Sequence, residues 1–231
     1  MSTPATARAT TLAAALALLA ACGDSVEVTP PPYSGTAIVR FVNATATPMD
    51  FAAAGSIAKG NANLGYGGSS GCTDVSTAAT QLAVRETGSA RAVPGITAAF
   101  EPATRYTIVA WRGASATQFL SVANTFTPSF LHAGLNVVVV TGGSGRYDVY
   151  VTAPGGERGS ASASGVASGH SSAYFDVSHG ARQVLLTEAG SPAMALDAGS
   201  TIFTAGTTQT LVVAAPADLG TPPRYFWVPG C

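Results

Sequence analysis

From residue 36 onward, apolar residues recur with period two or gather in short runs, and no stretch sustains a 3.6-residue period. Ala37-Ile38-Val39-Arg40-Phe41-Val42, Leu82-Ala83-Val84, Tyr106 to Trp111, Val137 to Val140, Val184-Leu185-Leu186 and Thr210 to Val213 each read as a strand. Their Val, Ile, Thr and aromatic side chains lose little freedom on a pleated surface. Clusters of Gly, Pro, Asn, Asp and Ser separate the runs, as short antiparallel strands require. The 26 glycines and 14 prolines among 231 residues suit a chain of many turns, and 47% apolar residues suffice for a core. The pattern predicts an all-β protein.

The runs repeat. Asp74-Val75-Ser76 matches Asp176-Val177-Ser178 at an offset of 102, which also pairs Gln81 with Gln183, Glu86 with Glu188 and Gly88-Ser89 with Gly190-Ser191. Upstream, Phe41-Val42-Asn43 lies against Val139-Val140-Thr141 and Asp50 against Asp148, at an offset of 98. Downstream, Thr107-Ile108-Val109 lies against Thr210-Leu211-Val212 at 103. Order is kept and the gaps are small. The expectation is an internal duplication giving two tandem antiparallel β-sandwich modules, immunoglobulin-like or transthyretin-like, over 36–128 and 134–219, with 220–231 as a C-terminal tail. Turn chemistry accounts for the matched polar positions. Asp50 and Asp148 can bond turn amides, Gly88 and Gly190 sit where a positive φ is wanted, and Glu86 and Glu188 end strands in solvent.

The front of the chain is different. Arg8 is the one charge before an apolar run from Leu12 to Ala21, too short to span a bilayer but fitting the core of a signal peptide over 1–21. The run ends Leu19-Ala20-Ala21-Cys22, which resembles a bacterial lipobox and implies that Cys22 becomes a lipidated mature N-terminus. Several acyl chains anchor stably where one would not. The residue after Cys22 is Gly23 rather than aspartate, which points to the outer membrane. Residues 22–35, with Pro30-Pro31-Pro32, form an extended tether expected to hold the folded part off the membrane.

The strand-and-turn motifs Val39-Arg40-Phe41-Val42-Asn43-Ala44, Met49-Asp50-Phe51, Leu64-Gly65-Tyr66-Gly67 and Arg105 to Ala110 carry a resemblance of their own. Over most of 36–219 the chain resembles the bacterial domain-of-unknown-function family numbered 4397. The resemblance implies a secreted or lipid-anchored protein of tandem β-sandwich modules with no assigned activity. The chain departs from it at Ser69 to Thr73, which carries a cysteine, and in the Ser/Gly/Ala stretch Gly159 to Gly169.

With Cys22 committed to lipid, Cys72 and Cys231 remain in an exported, disulfide-permissive setting, and a bridge between them is expected. Two unconnected thiols are the alternative. Catalytic motifs lack their contexts. Gly67-Gly68-Ser69-Ser70-Gly71 has the G-x-S-x-G form without the strand-to-helix elbow, although Asp176 and His179 follow in order. Ser56-Ile57-Ala58-Lys59 has the S-x-x-K form without companion motifs. His170, His179 and Asp176 match no zinc spacing, and His132 reads as a loop residue. Gly142-Gly143-Ser144-Gly145 reads as a hairpin turn between Val140 and Tyr147. No enzyme, metal or cofactor is expected.

Charged residues are only 10% of the chain, with eleven basic against twelve acidic. Such a surface offers no phosphate-neutralising footprint, so nucleic acid is not an expected partner. The remaining choice concerns Trp111, Tyr225, Phe226 and Trp227. Exposed, they would stack on sugars and make an envelope glycan-binding module, a role that a loop such as 159–173 could also fill. Packed inside, they leave a non-catalytic structural or interaction role beside an envelope protein.

Overall fold

The computed structural model describes residues 35–53, 60–77, 82–93, 96, 99–216 and 223–231. The signal segment 1–21, Cys22, the tether as far as residue 34, Gln81 and the Ser56–Lys59 motif lie outside the described residues. Every regular element among the described residues is a strand, so the all-β expectation holds. The first seven are β1 (Thr36–Ala44), β2 (Met49–Ala53), β3 (Thr73–Ser76), β4 (Leu82–Glu86), β5 (Ala92–Val93), β6 (Arg105–Arg112) and β7 (Thr117–Asn124). The rest are β8 (His132–Val140), β9 (Arg146–Thr152), β10 (Ala163–Ala167), β11 (His170–Ser171), β12 (Phe175–Ser178), β13 (Gly180–Glu188), β14 (Met194–Phe203), β15 (Thr208–Ala214) and β16 (Arg224–Pro229).

They form four sheets: β3-β1-β6-β7, β2-β4-β5, β11-β8-β15-β16 with β12 also on β8, and β10-β9-β13-β14. The pairing of β1 with β3 and β6 recurs as β8 with β12 and β15, and β2 with β4 recurs as β9 with β13. The all-antiparallel expectation is corrected at two places, because β1 pairs with β6, and β8 with β15, in parallel. After β1 and after β8 the chain crosses to another sheet before returning, which is the long connection a parallel pair needs. The glycines 142, 143 and 145 therefore turn the chain between sheets and do not close a hairpin, since β8 and β9 share no ladder. The segment set apart as a tail contributes β16, which pairs with β15 along its whole length.

Strand register also corrects the upstream repeat. Ala37 faces Val75 on β3, and Ala133 faces Val177 on β12. With Val75 and Val177 equivalent, Phe41 corresponds to Val137 and not to Val139. A slip of two residues keeps every side chain on its own face, so the hydrophobic pattern did not expose it. Asp50 and Asp148 remain equivalent, each one position in from Met49↔Glu86 and Tyr147↔Glu188. The turns after them repeat closely: Ser89 N bonds Glu86 O and Ser191 N bonds Glu188 O, both at 2.9 Å, around Gly88 (φ 82°) and Gly190 (φ 76°).

Three apolar layers hold the sheets together. Phe41, Phe51, Val84 and Ile108 pack between the β1 and β2 sheets, and Leu135, Leu186, Phe203 and Leu211 between the β8 and β9 sheets. Val42, Val109, Val122 from one side and Val138, Val212, Val228 from the other form a third layer, in which the β1 and β8 sheets meet. The β1 and β8 sheets are thus covered on both faces, the environment in which parallel pairs are found.

Candidate functional site

The chemistry of the chain collects where the β1 and β8 sheets meet at the end from which β1, β6, β8 and β15 start. Cys72 and Cys231 form a disulfide there, with Cα atoms 5.9 Å apart and 159 residues between them in sequence. Gly230 N bonds Thr208 O at 2.8 Å and sets Cys231 in place. Arg40 lies across the bridge. It donates one guanidinium nitrogen to Cys72 Sγ at 3.0 Å and another to the Pro229 carbonyl. Its Nε is buried without a partner, and burial lowers its pKa from the ordinary arginine value.

The same place in the second half is built differently. Tyr174 stands where Cys72 does, 102 residues on, and its ring stacks on Phe126 with centroids 5.8 Å apart. Phe126 is one residue past Thr125, the position that corresponds to Cys231 through the β6–β7 and β15–β16 registers. Asn136 replaces Arg40. Its amide donates to Ser172 O, and its Oδ1 is buried with no partner. The shorter side chain leaves a cleft of about 640 Å³ lined by Ser121, Ala123, Phe126, Asn136, Ser172 and Tyr174. Burial raises the Tyr174 pKa, opposed by its hydrogen bond with Thr210.

Sequence reading overlooked one pair at these junctions. Ser70 Oγ accepts from Phe41 N at 2.8 Å and donates to Gly71 O at 2.8 Å. Ser172 Oγ accepts from Val137 N at 2.9 Å and donates to Ala173 O at 2.8 Å. Ser69-Ser70 and Ser171-Ser172 stand 102 apart, so extending the Asp-Val-Ser match upstream would have found them. The G-x-S-x-G segment is therefore a stretch of backbone laid along β1, with an isolated bridge between Ser69 and Val42.

Asp176 is brought not to His179 but to Ser129, whose amide (3.0 Å) and hydroxyl both donate to it. Those two bonds, with a smaller contribution from nearby His132, hold the Asp176 carboxyl below the ordinary carboxylate range. The ring nitrogens of His132 and His170 meet the carbonyls of Phe130 and Ser168 at 2.8 and 3.1 Å. Among the described residues no group of three His, Cys, Asp or Glu could hold a metal ion. Asp50 Oδ1 accepts from Asn63 N and Thr87 Oγ1, and Asp148 from Gly165 N and Gly190 N, as turn chemistry requires.

Three of the four aromatics under question pack inside. Trp111 and Phe226 lie against the layer between the β1 and β8 sheets, Phe226 edge-on to Tyr66 at 4.9 Å, and Trp227 meets Phe203 at 5.9 Å. Tyr225 alone is exposed. A second cavity, of about 500 Å³, falls on the 159–173 stretch and is lined by Arg146, Ser164, Gly165, His170, Ser172 and Phe175. No family model and no curated protein matches the chain, so its chemistry is read from this geometry.

Proposed function

We propose that the protein is a lipid-anchored component of a bacterial cell envelope, held through Cys22 in the outer membrane, whose folded part has a non-catalytic structural or interaction role. The observation that carries this reading is the run Leu19-Ala20-Ala21-Cys22 behind an apolar segment of signal-peptide length. The two halves are read as modules of one β-sandwich type derived by duplication, in keeping with the resemblance to the family numbered 4397. The shared pairing scheme and the twin serine bonds support this. The role itself is supported by how the reactive side chains are spent: serines on ladder amides, Asp176 on Ser129, and aromatics between sheets.

Fractionation of cells expressing the wild-type chain and Cys22→Ser tests it. The wild-type protein is expected with the outer membrane, carrying acyl mass on Cys22, and Cys22→Ser is expected to leave the outer-membrane fraction. A wild-type protein that is soluble and unacylated overturns the reading. The glycan-binding alternative rests on the cavity beside Phe175 and His170. Saturable retention on envelope polysaccharide, lost on Phe175→Ala, would put it in place of a purely structural role.

A further inference from the structure

The most exposed large apolar side chain among the described residues is Phe130, 89% accessible, in the segment joining β7 to β8. Leu131 follows at 50%, and Ile202, near the end of β14, stands at 71% and pairs with Ala181, two residues past the His179 that bonds Leu131. The main chain that presents Phe130 and Leu131 is tied down on all sides. Ser129 is held by Asp176, His132 N bonds Ser129 O at 3.0 Å, and His179 N bonds Leu131 O at 3.1 Å. Leu131 itself has φ 61°, a left-handed backbone that a branched apolar residue adopts only at a cost. The bonded loop thus turns two apolar side chains out to solvent.

Register places this tip. Thr36 O bonds Ala103 N, Ile38 pairs with Arg105, Arg105 with Asn124, and Asn124 Nδ2 reaches Thr208 Oγ1 at 2.7 Å. Thr208 in turn pairs with Gly134, two residues into β8. The tip and Gly35, where the described chain begins, therefore lie at the same end of the strands. Only twelve residues separate Gly35 from Cys22, a reach of about 40 Å when extended.

We infer that Phe130 and Leu131, with Ile202, form a tip that enters the interfacial layer of the lipid surface. This inference rests on the lipid-anchored reading above. A lipid surface fits because Phe130 and Leu131 project from a loop whose main chain is bonded on both sides, with Ile202 outward on the neighbouring strand β14, and because the anchor ties this end of the molecule to the bilayer. Acyl chains supply residence, and a small apolar tip as a second signal sets orientation. In this arrangement the tether lets the folded part rest on the membrane instead of holding it away.

The test uses the full acylated chain in phosphatidylcholine–phosphatidylglycerol vesicles containing brominated lipid, with Phe130→Trp compared against the wild-type emission of Trp111 and Trp227. The expected result is added blue-shifted emission that the bromines quench, and its loss of quenching when Leu131→Ser and Ile202→Ser are added. A chain that sediments with vesicles while the added emission stays unquenched overturns the tip and leaves the anchor standing. Blue-shifted but unquenched emission also overturns it, by placing the tip against protein. A chain that carries no acyl mass and does not sediment overturns the anchor, and this inference with it.

Discussion

The two halves share a pairing scheme down to single hydrogen bonds, yet they are fastened to each other by different chemistry at corresponding places. Where β3 begins, Cys72 reaches Cys231 through a covalent bond, with Arg40 laid over it. Where β12 begins, Tyr174 reaches Phe126 through a ring stack, with a cleft above Asn136. The ladders tolerate little variation because each buried amide needs its partner. The junctions are free to differ because any contact that fills the space and joins the sheets will serve.

The largest effect should come from the covalent junction. Cys72→Ser with Cys231→Ser is expected to lower stability by about 3–5 kcal/mol in urea unfolding, because a long loop is released in the unfolded chain. Tyr174→Leu, its counterpart, should cost about 1–2 kcal/mol from the lost stack and hydroxyl contact. Equal losses would show that the bridge adds nothing beyond packing. Of intermediate size, Ser70→Ala and Ser172→Ala should each cost about 1–3 kcal/mol by stranding a ladder amide. Ser70→Ala should cost the more, because Ser70 is buried while Ser172 lines the cleft where water can serve the Val137 amide, and a larger loss at Ser172 would break the comparison. The smallest effect is at Asp176, which matches Asp74 of the first half and bonds Ser129. Its native carboxyl is held below the unfolded value, so its contribution is complete above the ordinary carboxylate range and fades as pH falls through it. The stability gap between wild type and Asp176→Asn should therefore be small at pH 7 and vanish in acid, and a gap that widens in acid would refute the assignment.

Much of this was legible in the residues and some was not. Each of the six apolar runs falls on a strand, since side-chain period and turn residues are local signals. The parallel pairings were not legible as pairings, because periodicity carries no information about a strand's partner. A trace existed: Val137 to Val140 is apolar without alternation, as befits a strand covered on both faces. Tyr225 to Val228 was harder to read, because a cluster of aromatics looks the same whether it stacks on a ligand or alternates between two cores. Phe226 and Val228 face one layer and Trp227 the other. The tip at Phe130 had no sequence signal, because its main chain is held by bonds to Asp176 and from His179, far along the chain.

The disulfide also imposes an order in time. Cys72 cannot find its partner until Cys231, 159 residues further on, has reached the same disulfide-permissive compartment. Until then Cys72 carries a free thiol. Chains cut short before Cys231 would keep that thiol, which makes it a chemical mark by which unfinished copies can be told from finished ones.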